Sequence, residues 1–283
     1  MMFLFKAALS SIVILLTSAC MGISENNVNM ISNDRDYGVF LSLAGQDAID
    51  ASEDYGTVVI DAQSMTSEEI EEMQDRGQQV YSYLNLGSLE TFRSYYDEYQ
   101  YLTLKPYVNW ENEFWIDASA EEWQEFHSVT LASQYLEKGI DGFWIDNVDV
   151  YYQFPTEEMY LGVENMLTTL MEYGKPVIIN GGDQFVKEYL ERNEHMDDIL
   201  TGVNQETVFS SINFEDRTLG TQREITQEYY IDYLELVEQE GKDIFLLEYT
   251  TDSDLVERIY DYSEEKGWTY YISDSIELDG DQN

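Results

Sequence analysis

With 57 acidic residues against 14 lysines and arginines in 283 positions, the chain carries a formal charge of −43, and a surface of that sign repels nucleic acid. One cysteine and two histidines exclude an internal disulfide, a thiolate-rich metal site and a histidine-based zinc centre. The length suits one barrel domain, and 43% hydrophobic residues with 3 prolines can fill one sizeable core.

The N-terminal segment stands apart from that core. Lys6 is followed by an apolar run over residues 7–16, then by Thr17, Ser18 and Ala19 before Cys20. The run is short for a bilayer span and has the layout of a signal peptide over residues 1–19. Small residues before a cysteine match a bacterial lipobox, in which Cys20 becomes the lipidated first residue. Thr17 stands where leucine is commoner, so cleavage and secretion without lipidation is the alternative. Residues 20–36 read as the lipidated cysteine and a polar tether, and 37–283 as a single catalytic domain. An extracytoplasmic monomer at the cell surface follows, touching the membrane through its lipid anchor only.

Beyond the tether, strand-like and helix-like stretches alternate. Apolar runs occupy 57–60, 79–84, 114–116, 142–145, 176–179, 199–203, 244–247 and 269–272. Between most of them lies a helix with recognisable ends. Thr66 to Glu69 and Ser119 to Glu122 are capping boxes, Pro155 opens a helix with Val163, Met166, Leu167 and Leu170 on one face, and Gly77, Gly139, Gly174, Gly241 and Gly267 are stops. Such alternation predicts parallel strands joined by helical crossovers, and eight runs predict an α/β fold of the closed (β/α)8 TIM-barrel type. No glycine-rich fingerprint follows the first run, which counts against a dinucleotide fold. Residues 38–43 would be a ninth segment capping the barrel bottom, and residues 87–113 an aromatic, elaborated loop over its mouth.

The chemistry lies where the apolar runs end. In chain order they lead into Asp61, Asn85, Asp117, Asp146, Asn180, the trio Asn204, Gln205 and Glu206, the pair Glu248 and Tyr249, and the pair Ser273 and Asp274. In a barrel those positions converge on the C-terminal rim, where such enzymes hold their active sites. Carboxylates and amides bind sugar hydroxyls, with two acids left for proton transfer. Asp117 and Asp274 could equally cap a following helix, although Ser119 looks the better cap beside Asp117. Asp141 precedes its strand and falls on the opposite, structural face. No capping box follows Asp146 and Asp149, so a functional reading suits them, and Glu206 stands among three polar groups where a buried strand emerges. Trp110, Trp115, Tyr151 and Tyr152 are either core or stacking platforms for sugar rings. His127 falls in a helix and His195 before the sixth run, so neither completes a nucleophilic triad. No loop pattern supports Ca²⁺ or Mg²⁺, and no cofactor is implied.

From about Gly38 onward the chain resembles glycoside hydrolase family 114, the endo-α-1,4-polygalactosaminidase-like extracellular proteins. The likeness rests on Val59-Ile60-Asp61, on Tyr83-Leu84-Asn85-Leu86-Gly87 followed by Glu90 and Arg93, and on Glu113 to Asp117. It continues through Gly139 to Asp149, Asn180-Gly181, Glu206, and Glu248-Tyr249. The resemblance implies a (β/α)8 hydrolase of galactosamine-containing polysaccharide, with Asp146 as nucleophile and Glu206 as acid/base. Asp61, Asn85, Arg93, Trp115, Asp117, Asn147, Asp149, Tyr151, Asn180, Glu248 and Tyr249 are then the candidate substrate contacts. Glu248 departs from the aspartate expected there, and residues 102–113 look individual. A retaining enzyme needs its two carboxyls roughly 5–5.5 Å apart, an inverting one roughly 6.5–9.5 Å. The rival readings are a carbohydrate-binding lipoprotein without catalysis and a hydrolase of a different exopolysaccharide.

The acids are spread over every predicted helix, which suits a solvated surface in concentrated salt, and the same charge would attract a cationic polymer. Unscreened self-repulsion at this charge destabilises the compact state in dilute buffer. The melting temperature is therefore expected to climb between about 10 mM and 1 M NaCl, where the Debye length falls from ~30 to ~3 Å; a flat or falling curve by calorimetry contradicts this.

Overall fold

The computed structural model describes residues 35–280. Eight of its strands form one parallel sheet: β1 (Arg35–Phe40), β2 (Tyr55–Ile60), β3 (Gln79–Asn85), β4 (Gly142–Asp146), β5 (Val177–Asn180), β6 (Gly202–Glu206), β7 (Asp243–Tyr249) and β8 (Thr269–Ser273). Each pairs with the next in sequence. β8 lies beside β1, so the sheet curls into a nearly closed (β/α)8 barrel. Among the described residues no hydrogen-bonded ladder joins β1 to β8. Strand centres are apolar and buried on both faces, as at Val58, Val59 and Ile60, at Phe143, Trp144 and Ile145, and at Val177, Ile178 and Ile179.

The crossover helices start and stop on local chemistry. Thr66 and Glu69 form a reciprocal capping box on helix Ser67–Asp75, Thr156 caps Glu157–Met171, and Asp252 caps Ser253–Lys266, which ends on left-handed Gly267. None of the described helices is long and apolar enough to cross a membrane. The signal segment, Cys20 and nearly all of the tether lie outside the described residues.

Three strand expectations are corrected. Residues 38–43 do not cap the barrel; Gly38 to Phe40 belong to β1. The run 114–116 is not a barrel strand. It lies in Glu113–Ile116, the centre of a three-stranded antiparallel sheet with Ser88–Glu90 and Thr103–Pro106, built where an elaborated loop over the mouth was expected. The sixth barrel strand begins at Gly202 rather than at 199, so Asn204, Gln205 and Glu206 are part of β6. A second excursion, the hairpin Ser210–Asn213 and Thr218–Thr221, follows β6.

One glycine fixes the first insertion to the barrel. A Cβ on Gly87 would stand 1.9 Å from the carbonyl oxygen of Asn147, so only glycine lets the chain leaving β3 cross the end of β4.

Candidate active site

Alternation along the strands selects which strand-end residues face the barrel mouth. On β4, Trp144 and Asp146 share the inner face; on β6, Asn204 and Glu206 do; on β3, Tyr83 lies inside as well. Their ends line a cleft of about 480 Å³ with Asp61, Glu90, Arg93, Glu113, Asn147, Asp149, Asn180 and Tyr249. Both insertions contribute to its wall: Trp110 from the first meets Phe214 from the hairpin edge-on, ring centres 5.7 Å apart.

Asp146 and Glu206 meet at one nitrogen. Asn180 Nδ2 donates to Asp146 Oδ1 at 3.0 Å and to Glu206 Oε1 at 2.7 Å. The other oxygen of Asp146 accepts from the Tyr83 hydroxyl at 3.1 Å and from Asn147 Nδ2 at 3.3 Å, and Glu206 Oε2 accepts from the Tyr249 hydroxyl at 2.8 Å. Arg93 is buried between Asp61, at 2.6 Å, and Glu90, which it grips through both Nε and Nη2 at 3.1 and 2.9 Å. Tyr83 can also donate to Glu90, at 3.3 Å, which links the Arg93 cluster to Asp146.

The two acids have different electrostatic surroundings. Burial pushes Glu206 up to about 7, reinforced by the Asp146 charge and opposed by the Asn180 and Tyr249 hydrogen bonds. Burial also raises Asp146, but donors from the Asn180 side chain, the Asn147 backbone and Tyr83 oppose it. One carboxyl is thus held near neutrality as an acid while its neighbour is surrounded by groups that stabilise the anion. Two further carboxyls are raised mainly by burial: Asp149 to about 7, with Asp183 and Asp146 adding to it, and Glu113 to about 8, with Glu90 adding to it. His127 is fully buried and held down to about 3 by desolvation, so it stays neutral and away from the chemistry.

The other sequence candidates divide. Asp61, Arg93, Asn147, Asp149, Asn180 and Tyr249 reach the cleft with Asp146 and Glu206. Asn85 lies just beneath, donating to Ser88 at 2.7 Å and to Glu113 at 3.3 Å. Four lie elsewhere. Asp117 closes a turn, accepting from the Ser119 backbone at 3.0 Å, because its strand is in the insertion; the helix that follows starts after Ala120 with no side-chain cap, from Asp117 or from Ser119. Trp115 is buried against Tyr107, ring centres 4.4 Å apart. Tyr151 donates to Glu188 behind the rim. Glu248 points away from the mouth, opposite in alternation to Tyr249, and accepts from the backbones of Phe209 and Ser210 at 2.9 and 2.8 Å, which ties the hairpin to β7. Tyr83, Glu90, Tyr107, Glu113, Trp144 and Tyr230 line the cleft without having been singled out as contacts. Period-two alternation back from Asn85 and Asp146 could have found Tyr83 and Trp144; nothing local marks Glu113 or Tyr107, which the insertion carries in.

The residue after each acid is left-handed: Asn147 has φ 60° and Thr207 φ 55°. Asparagine tolerates this region, whereas a β-branched threonine does not. Thr207 is held there by its N–H on the Leu247 carbonyl and by Gln222 Nε2 on its own carbonyl, both at 3.0 Å. Thr207→Gly is expected to raise unfolding stability by about 1 kcal/mol in urea titrations; a loss of stability would mean that no strain is held there.

Carboxyls raised in the folded state bind more protons there than in the unfolded chain, where glutamate and aspartate titrate near ~4. Their stabilising contribution is complete below that value and is lost as pH rises through about 7 for Glu206, Asp149 and Glu248 and about 8 for Glu113. The melting temperature should therefore fall from pH 5 to pH 8.5, and Glu113→Gln should flatten the upper part of that slope. Equal slopes in wild type and variant would remove Glu113 from this account.

No curated protein sequence matches this chain. Among solved structures, the glycoside hydrolase domain of PelA from Pseudomonas aeruginosa superposes with a TM-score of 0.72 at 15% identity, covering 86% of this chain and 96% of that one. Ega3 from Aspergillus fumigatus, in complex with galactosamine, gives 0.68 at 16%, covering 87% and 93%. The α-galactosidase TtGalA from Thermus thermophilus gives 0.59 at 12%, covering 87% and 62%. These likenesses establish the barrel. The model of glycoside-hydrolase family GH114 matches residues 21–281, and with nearly the whole sequence inside that match the chain belongs to this family and is a glycoside hydrolase.

Proposed function

We propose that the protein cleaves α-1,4-linked, galactosamine-containing polysaccharide with retention at the anomeric carbon, and that Cys20 anchors it by lipid at the cell surface. The observation that carries the mechanism is the shared nitrogen. Two oxygens bonded to one atom at 3.0 and 2.7 Å, along N–H directions ~120° apart, are roughly 5 Å from each other, the spacing of retaining rather than inverting enzymes.

In this reading Glu206 gives its proton to the glycosidic oxygen as the bond to the anomeric carbon breaks, and Asp146 attacks that carbon to form a glycosyl ester. Glu206, now ionised, takes a proton from a water that attacks the same carbon. Asp146 leaves as carboxylate, and both groups return to their starting states. The substrate assignment is supported by the cleft's charge. Asp61, Glu90, Glu113, Asp146, Asp149 and Glu206 face a single cation, Arg93, which favours a polymer bearing ammonium groups. Ega3, a fold relative, was solved with galactosamine.

The test is hydrolysis of partly deacetylated α-1,4-galactosaminan, with product anomers followed by NMR. Asp146→Asn and Glu206→Gln are each expected to lose about 10³-fold or more in kcat. The α anomer should appear first, and the rate should fall as pH rises past about 7 and Glu206 loses its proton. Wild type and both variants binding the polymer with no product released would favour the non-catalytic binding reading. First release of the β anomer would refute retention.

A further inference from the structure

Asn180 can serve both acids only if its NH2 end, not its carbonyl, faces them. An amide can rotate by half a turn with little change in shape, so something must choose the orientation. The barrel interior holds a chain of hydrogen bonds that does. Trp144 Nε1–H donates to the Tyr37 hydroxyl at 2.9 Å. Tyr37 donates to Asn204 Oδ1 at 3.2 Å. Asn204 Nδ2 donates to Asn180 Oδ1 at 2.7 Å. Trp144, Tyr37 and Asn204 are each no more than 1% exposed, and they come from β4, β1 and β6.

The direction of this chain is not reversible. An indole nitrogen only donates, so the Tyr37 oxygen must accept and its proton must go onward. Asn204 must then present its carbonyl to Tyr37 and its NH2 to Asn180, and Asn180 must turn its carbonyl inward and its NH2 toward the cleft. We propose that Trp144, Tyr37 and Asn204 are positioning residues that set the Asn180 amide, and through it the shared contact with Asp146 and Glu206. This rests on the retaining reading only for its effect on turnover; the orientation of the amide is independent of substrate.

If the relay is broken, the Asn180 carbonyl can turn toward the carboxyls. A donor that stabilises both anions is replaced by an acceptor, and both groups should bind their protons more tightly. The other groups facing them stay in place: Tyr83, Glu90, Glu113, Asp149 and Tyr107 around Asp146, and Tyr249, Glu248 and Tyr230 around Glu206. Tyr37 also faces Glu206, so the inference is carried by a shift common to both relay variants, only one of which removes that hydroxyl.

Tyr37→Phe removes the middle hydroxyl, and Asn204→Leu removes the amide that donates to the Asn180 carbonyl, at similar size and without adding a charge. Tyr173→Phe is the control; its hydroxyl bonds the Ser128 and Val129 carbonyls near the N-terminal end of β5. Side-chain carboxyl ¹³C resonances are titrated in the substrate-free protein, and kcat and KM are measured on partly deacetylated α-1,4-galactosaminan. In both relay variants the Asp146 and Glu206 titrations are expected to move up by about one pH unit. The pH–rate profile should move with them, and kcat at neutral pH should fall about tenfold or more with KM little changed. The control should leave all of these in place. Titrations that stay put in folded relay variants, or that move equally in the control, overturn the proposal. Wild type without turnover on this polymer whose carboxyls still shift in the variants would refute the galactosaminan reading and sustain the relay.

Discussion

Tying Asp146 and Glu206 to one amide nitrogen in a recessed cleft places two carboxyls where desolvation and mutual repulsion both oppose full ionisation, and the surrounding architecture answers that conflict. Donors are concentrated on Asp146, from Asn180, Asn147 and Tyr83, while Glu206 keeps only Asn180 and Tyr249. The asymmetry lets a single proton settle on Glu206 without removing the anion from its neighbour. Because the amide belongs to β5 and the acids to β4 and β6, the geometry is fixed by adjacent staves of the barrel rather than by loops.

The same pressure explains the supporting cast. Among the described residues Arg93 is the one cation lining the cleft, and Asp61 and Glu90 hold it on both sides, so it offsets the Glu90 charge that raises Asp146. Glu113 arrives from the inserted sheet and sits under Asn147, accepting from it at 3.1 Å. It draws the side chain next to the proposed nucleophile into the protein. A barrel alone would supply Asp146, Asn180 and Glu206 with the Tyr83 and Tyr249 donors; the insertion adds Glu90, Arg93 and Glu113 around them.

Much of this was legible in the sequence, and the misreadings share a cause. Phe-Trp-Ile-Asp occurs twice, at residues 114–117 and 143–146. One copy is an antiparallel strand whose aspartate closes a turn; the other is a barrel strand whose aspartate faces the cleft. Local apolar patterning cannot distinguish them. The glycine stop and turn before Gly142 mark the end of a crossover helix, and nothing of that kind precedes Glu113. β1 was misread for the converse reason. It follows a polar tether instead of a helix, so alternation gave no cue that Tyr37 belongs to the barrel interior. Glu248 and Tyr249 show a finer limit: adjacent residues at a strand end face opposite ways, and a list of strand ends does not carry that parity.

The missing ladder between β1 and β8 has a consequence for how the ring can be encoded. Its first and last staves are neighbours in space, and every active-site contact described above joins other strands or crosses this gap through side chains alone. The polypeptide could be joined by an added crossover running from the end of β8 at the mouth to the start of β1 at the opposite face, and cut instead at a solvent-facing turn such as the one at Gly241, with each stave keeping its partners. Which strand is synthesised first is then a matter of gene order, separable from the catalytic geometry.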